Sequence, residues 1–249
     1  MLTRRVAWLQ SITMAWMMLE CAGALYAAAR AHSVALLAFG SEIPTVQDFT
    51  DNPDELAQGF RDLRPQPGKT ARMIDAVTYS ASLFADRPPN EHRVLFVIGE
   101  SRDRGSRTKL QDAVKALQLE GVTVFPIVYS AYLTPFTTKA PDMPAPGDVD
   151  LLGGITEPAR LLGKANAARE LAKSSGGRNT SFATLDGLEK IITNLGEELH
   201  SEYLISYTNE TCSPGYHQIE VKLTGRPGMT VRARPGYWTD RHSCRGSSR

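Results

Sequence analysis

"RVLFVIGESRDRGSRTKLQDAVKALQLEGVTVFPIVYS", Arg93–Ser130, decides the fold. It opens and closes on apolar runs, "RVLFVIG" (Arg93–Gly99) and "VTVFPIVYS" (Val122–Ser130). Consecutive rather than alternating apolar residues mark a strand covered on both faces, as in a parallel sheet. Between them "TKLQDAVKALQLEG" has apolar residues at helical spacing and closes on Gly121, a glycine where helices commonly stop. Strand, helix and strand in that order predict an α/β fold. In such a sheet ligands sit beyond the carboxyl ends of the strands. That is where Glu100, Ser101, Arg102, Asp103 and Ser106 cluster. The cluster reads as a ligand site, as the remains of one, or as a solvated turn whose surface ion pairs stabilise little. In the last reading Ser106 caps the helix that follows.

Working outward, "SVALLAFG" (Ser33–Gly40) reads as another buried strand of the same sheet. "EIPTVQDF" (Glu42–Phe49) reads as a second strand, with Pro44 marking an edge. "DNPDELAQGFRDL" predicts a helix start: Asp51 or Asn52 caps, Pro53 fits the first turn, and Asp54 and Glu55 suit the positive end of the dipole. "RMIDAVTYSASLFA" (Arg72–Ala85) puts Met73, Ile74, Val77, Ala81 and Phe84 on one helical face. The proline-rich stretch Leu133–Pro158 follows a strand's carboxyl end and is expected over the same face as Glu100, with Pro135–Pro158 mobile and exposed. Helices are expected at about 159–174 and 185–202. From Tyr203 the pattern changes: "EYLISYT", "YHQIEVKLTG" and "MTVRARPGYW" alternate apolar and polar residues, as half-exposed antiparallel strands do. The expected domains are therefore 1–202, a doubly wound, mostly parallel open sheet with helices on both faces, and 203–249, an antiparallel β extension.

The 249 residues suit one large domain, or one domain with a small appendage. With 28 basic and 27 acidic residues the net charge of +1 argues for neither a nucleic-acid nor a membrane partner. Cys21, Cys212 and Cys244 form no metal pattern; Cys212 and Cys244 either pair in an oxidising compartment or stay free. The N-terminal "MLTRRVAWLQSITMAWMMLECAGALYAAARA" reads as a signal peptide or as an amphipathic helix. Its uncharged span Val6–Leu19 is shorter than the roughly 20 residues a membrane helix needs. No P-loop, G-x-G-x-x-G or H-E-x-x-H occurs, and His32, His92, His200, His217 and His242 have no ligand-like spacing. Asn179 and Asn209 stand in glycosylation patterns that matter only in a secretory eukaryotic context.

The succession "VALLAFGSE…VQDFT", "GKTARMIDAV", "VLFVIGESRDRGS" and "GVTVFPIVYS" resembles the von Willebrand factor A domain. It is most similar to the bacterial von Willebrand factor A-related proteins abundant in acidobacteria, with "YLISY…HQIEVKL…MTVRARPGYW" as their C-terminal extension. The resemblance implies a doubly wound sheet and, at its carboxyl edge, a metal-ion-dependent adhesion site. There a divalent cation, magnesium or manganese, completes its coordination with a partner's carboxylate. It implies three parts for that site. The Asp-x-Ser-x-Ser loop after the first strand is absent from this sequence, and Met1 stands where that loop commonly closes. Thr70 in "GKTARMIDA" is the candidate threonine, although anchoring on Asp75 puts Ala71 in its place. Glu100, followed by Ser101, occupies the third place, where the family has an aspartate.

Magnesium wants octahedral oxygen ligands at about 2.0–2.1 Å. Thr70 and Glu100 offer a hydroxyl and a carboxylate, but Glu100 reaches one methylene further than aspartate. The expected site is thus incomplete, with metal bound weakly or not at all and no other cofactor. The family's first strand lies between the Val34 and Arg93 strands, so the resemblance implies that it too is missing, and either that the natural reading frame starts upstream or that this is a decayed fragment. The expected function is non-enzymatic protein–protein contact or adhesion with an unidentified protein partner, in a periplasmic or secreted location implied by the family. The expected surface combines Thr70, Glu100, Ser101, Asp103 and Ser106 with the proline-rich segment. Two alternatives stand beside it. One is a metal-binding adhesion domain, if an upstream segment supplies the missing loop. The other is a serine hydrolase, because "GESRD" half resembles a nucleophile elbow. Ser101 would then be the nucleophile, His200 or His217 the base, and Asp148 or Asp150 the orienting acid.

Overall fold

The computed structural model describes residues 33–64, 66, 70–88, 91–129, 166–203, 205, 213–225, 229 and 231–239. The N-terminal stretch, the Leu133–Pro158 segment, the three cysteines, Asp148, Asp150 and Asn209 lie outside the described residues. The elements run β1 (Val34–Leu37), β2 (Thr45–Thr50), α1 (Pro53–Asp62), α2 (Met73–Leu83), β3 (Arg93–Gly99), α3 (Leu110–Leu119) and β4 (Val122–Tyr129). Then come α4 (Ala167–Ser175), β5 (Thr180–Phe182), α5 (Leu185–His200), β6 (Gly215–Gln218) and β7 (Gly236–Thr239). They fall into two compact units, Met1–Arg72 with Thr184–Tyr207, and Met73–Ala183 with Thr208–Arg249.

In the first unit β1 pairs antiparallel with β2, through Leu37↔Thr45, Leu36↔Gln47 and Val34↔Thr50. The Ser33–Gly40 stretch was expected in the parallel sheet, and here the structure differs. The reason is the length of the link. A parallel crossover needs a dozen or more residues, whereas Ala38–Pro44 closes as a tight loop with Ala38 N–H bonded to Pro44 O (3.1 Å) and Gly40 N–H to Glu42 O (3.0 Å). α1 starts as its chemistry dictates: Asn52 Oδ1 accepts from Asp54 N at 2.9 Å and Pro53 opens the first turn. Leu56, Gly59 and Phe60 are its buried stripe against the hairpin. A side chain on Gly59 would come within 3.0 Å of Gln47 Cβ, so the glycine permits that approach. In α5, capped by Thr184 Oγ1 accepting from Gly187 N (3.2 Å), Leu188, Ile192 and Leu195 form one buried stripe.

The second unit holds the parallel sheet, in the order β3-β4-β5. β3 and β4 run in register from Arg93↔Val122 to Gly99↔Val128, and β5 joins from Ile127↔Thr180 to Tyr129↔Phe182. β5 is only three residues long, too short to announce itself by apolar pattern. β4 is the middle strand, with Val124, Phe125 and Ile127 fully buried. α2 contacts β3, while α3 and α4 contact β4, which makes this an α/β layer as expected. Ser175 ties α4 to the sheet: its hydroxyl accepts from Val124 N (2.9 Å) and donates to Leu171 O (2.8 Å). Arg93, buried at the start of β3, ties that strand to the end of α3 through Glu120 O (2.8 Å) and Glu120 Oε2 (3.0 Å). β6 and β7 form the antiparallel hairpin of the tail, shorter than its alternating sequence suggests.

Candidate functional site

The site is the loop that leaves the carboxyl end of β3. Glu100 and Ser101 are exposed, and Glu100 Oε2 meets Arg104 Nη2 at 3.1 Å in a surface ion pair. Beneath them the chain turns inward. Asp103 is 6% exposed and Ser106 8%, so the solvated-turn reading fails for both. Asp103 Oδ1 accepts from Ile74 N at 3.0 Å and from the Ser106 hydroxyl at 2.5 Å, while its Oδ2 accepts from Ser106 N at 3.3 Å. The Ser106 hydroxyl in turn accepts from Asp75 N at 3.1 Å.

These contacts explain why a strand ends in charges. α2 begins at Met73, and the residue before it is Arg72, which has no side-chain acceptor to cap a helix. The first amides of a helix need acceptors. Asp103 and Ser106 supply them from about 30 residues away, at the second and third helical positions. Asp75, at that third position, reaches back: its carboxylate accepts from Arg107 N (3.2 and 3.1 Å) and Thr108 N (2.8 Å). The result is a reciprocal capping arrangement closed through tertiary structure instead of along one helix. Ser106 therefore caps α2, not the helix that follows it. At the start of α3 stands Lys109, with no side-chain cap. Sequence reasoning used Asp75 only as an alignment anchor. The signal for its role was an acid inside an apolar first turn, Met73, Ile74, Asp75, Ala76 and Val77, all buried. A buried carboxylate requires partners.

Thr70 is exposed and belongs to the first unit, whereas Glu100, Ser101, Asp103 and Ser106 belong to the second. Among the described residues, the carboxylates around this loop do not present a donor set for a divalent cation. The Asp75 and Asp103 carboxylates are committed to N–H and O–H donors, and Glu100 faces Arg104. Among the described residues no group of three or more His, Cys, Asp or Glu is gathered for a metal. For the hydrolase reading, the described bonds of both candidate histidines are local ones. His200, in the first unit, has Nδ1 2.6 Å from Gly196 O of its own helix. His217 Nε2 lies 2.8 Å from Ser213 O and 3.1 Å from Thr239 Oγ1, within its own hairpin. Among the described residues no helix is long and apolar enough to cross a membrane.

Compared with known proteins, residues 13–140 match the von Willebrand factor type A domain. The conserved hypothetical protein BatB from Bacteroides thetaiotaomicron has a similar fold, with a TM-score of 0.52 and 13% identity over 76% of this chain and 88% of that one. A von Willebrand factor type A protein from Catenulispora acidiphila gives a TM-score of 0.52 and 12% identity over 76% and 38% of the two chains. Proximal thread matrix protein 1 from the mussel byssus gives 0.51 and 11%, over 73% and 41%. No curated protein matches the chain.

Proposed function

Because the chain belongs to the von Willebrand factor type A family, whose members are typically interaction or adhesion modules, we propose that it is a non-enzymatic protein-binding domain that meets its partner through the loop after β3. The observation that carries this reading is the division of labour within the loop. Asp103 and Ser106 are spent inside, on the start of α2, while Glu100, Ser101 and Arg102 stand in solvent on the support so formed. A rigidly held, exposed polar loop at the carboxyl edge of a parallel sheet is suited to recognition. In this reading the adhesion site is degenerate, and contact is made without a bridging cation, by Glu100 and the neighbouring arginines themselves. Thr70, exposed in the other unit, is assigned to the same function. A periplasmic or secreted location belongs to the same proposal and rests on the family resemblance.

Photo-crosslinking tests it. Benzoylphenylalanine at position 101 of the full chain, mixed with the extracytoplasmic fraction of the source cells, should give one defined adduct. The adduct should persist in EDTA and vanish in Glu100→Arg, and the same probe at Tyr79 on α2 should not form it. Loss in EDTA with recovery on magnesium would show that a cation is required. Equal adducts from both positions would remove the loop from the interface. Fluorophosphonate labelling of Ser101 would overturn the non-enzymatic assignment.

A further inference from the structure

The loop after β3 sorts its charges by sign. Its acid Asp103 is buried, and so is Asp75, the acid of α2 that it packs against. Both carboxylates are answered from inside. Asp103 accepts from Ile74 N, Ser106 N and the Ser106 hydroxyl, and Asp75 accepts from Arg107 N and Thr108 N. The side chains of Arg102, Arg107 and Lys109 belong to exposed residues. A stretch that mixes both signs in sequence thus turns acids inward and cations outward.

The domain does not spend these cations on itself. Among the described residues none of the three forms an ion pair with a carboxylate, Asp112 in the first turn of α3 included. The loop's exposed acid, Glu100, is taken by Arg104 at 3.1 Å. In that pair Glu100 keeps a further cation in place. Glu100→Arg would repel Arg104, so its effect differs from that of a simple gain of charge.

The backbone that carries them is anchored. Asp75 holds the amides of Arg107 and Thr108 at 3.1 and 2.8 Å, and Asp103 holds that of Ser106 at 3.3 Å. Gly105, at a φ of 97°, makes the turn between Arg104 and Ser106. Cations on a fixed backbone lose less freedom when a partner arrives. Residues 100–109 include no Leu, Ile, Val, Met, Phe, Tyr or Trp. The loop therefore has nothing to sink into a bilayer and no ring on which a base could stack.

Resting on the proposed role of this loop, we propose that its partner offers an acidic protein segment, whose Asp or Glu carboxylates meet Arg102 and Arg107, with Lys109 beside them. The argument is charge complementarity. A guanidinium takes a carboxylate through two parallel hydrogen bonds, which gives geometry as well as attraction. Cations gathered on one loop also speed the approach of an acidic partner and turn basic ones away.

Fluorescence anisotropy of labelled decaglutamate with the full chain, at about 0.1 M salt, tests it. The peptide should bind saturably. Arg102→Gln combined with Arg107→Gln should weaken it at least about tenfold. Arg169→Gln combined with Lys173→Gln, which removes two exposed cations from α4, should change it less than about twofold. All four side chains are exposed, and circular dichroism should show both variants folded as wild type. The loop variant should also lose the adduct formed by benzoylphenylalanine at position 101. No peptide binding, equal weakening by the α4 variant, or tighter binding of decathymidylate or of phosphatidylglycerol vesicles would each overturn the proposal. An adduct at position 101 that survives in the loop variant would overturn it too, while keeping the loop in the interface. Equal adducts from positions 101 and 79 would instead fail the reading on which it rests.

Discussion

Asp103→Ala removes the acceptor for three donors at once: Ile74 N–H, the Ser106 hydroxyl and Ser106 N–H. Leaving a buried donor unpaired costs about 1–3 kcal/mol, and losing a helix cap alone costs about 0.5–2 kcal/mol. The three bonds share one network, so their losses do not add. Water entering the space of the missing carboxylate recovers part of the deficit. The expected loss is about 3 kcal/mol, a large share of a typical stability of about 5–15 kcal/mol. At about 2–4 °C per kcal/mol for a chain of this size, the melting temperature should fall by about 6–12 °C. Urea unfolding followed by circular dichroism should show the midpoint move with the slope unchanged. Asp103→Asn is informative beside it. It keeps an oxygen for Ile74 N–H but turns an amide donor toward Ser106 N–H, so it should fall between wild type and alanine. Glu100→Ala breaks only an ion pair whose Glu100 and Arg104 side chains are 58% and 37% exposed, and it should change stability by less than about 0.5 kcal/mol. The reasoning fails if Asp103→Ala costs less than about 1 kcal/mol, or if Glu100→Ala costs as much as Asp103→Ala.

Gly176→Ala should destabilise by at least about 1–2 kcal/mol, since its φ of +87° strains any other residue and its Cβ would press on Arg234 N. Faster hydrogen exchange over 231–239 would report the loosened tail. Gly177→Ala drives a Cβ onto Val124 O and should cost about 1–3 kcal/mol, read by the same melt. Asn52→Ala should cost about 1 kcal/mol in urea unfolding, through the cap on Asp54 N, and leave the tail's exchange unchanged. Arg93→Met leaves Glu120 without its buried partner. Glu120 is itself 29% exposed, so the cost should fall below the roughly 3–5 kcal/mol of a fully buried pair, to about 1–3 kcal/mol by calorimetry.

What the sequence determined by itself was whatever short-range chemistry controls. β3 was read to the residue, and β4 to within one, because a run of consecutive apolar residues carries its own boundaries. α1 was legible because Asn52, Pro53, Asp54 and Glu55 make its start locally, whatever the rest of the chain does. The order of these elements was enough to show the family resemblance. Tertiary structure decided what depended on partners distant in sequence. The antiparallel pairing of β1 followed from a link too short for a crossover, whereas a buried apolar strand looks the same in either direction. Asp103 and Ser106 looked like a surface because an acid and a serine after a strand usually are one. Their partners, Ile74 and Asp75, are 29 and 31 residues away, and only the packing of α2 beside the loop brings them within bonding distance. In the tail, alternation did not show which residues would meet the helices; Arg232 reaches Gly176 O and Arg234 lies beside Gly121, at glycines close enough to let the chain approach. A local pattern fixes which groups need partners, and the fold determines where those partners are found.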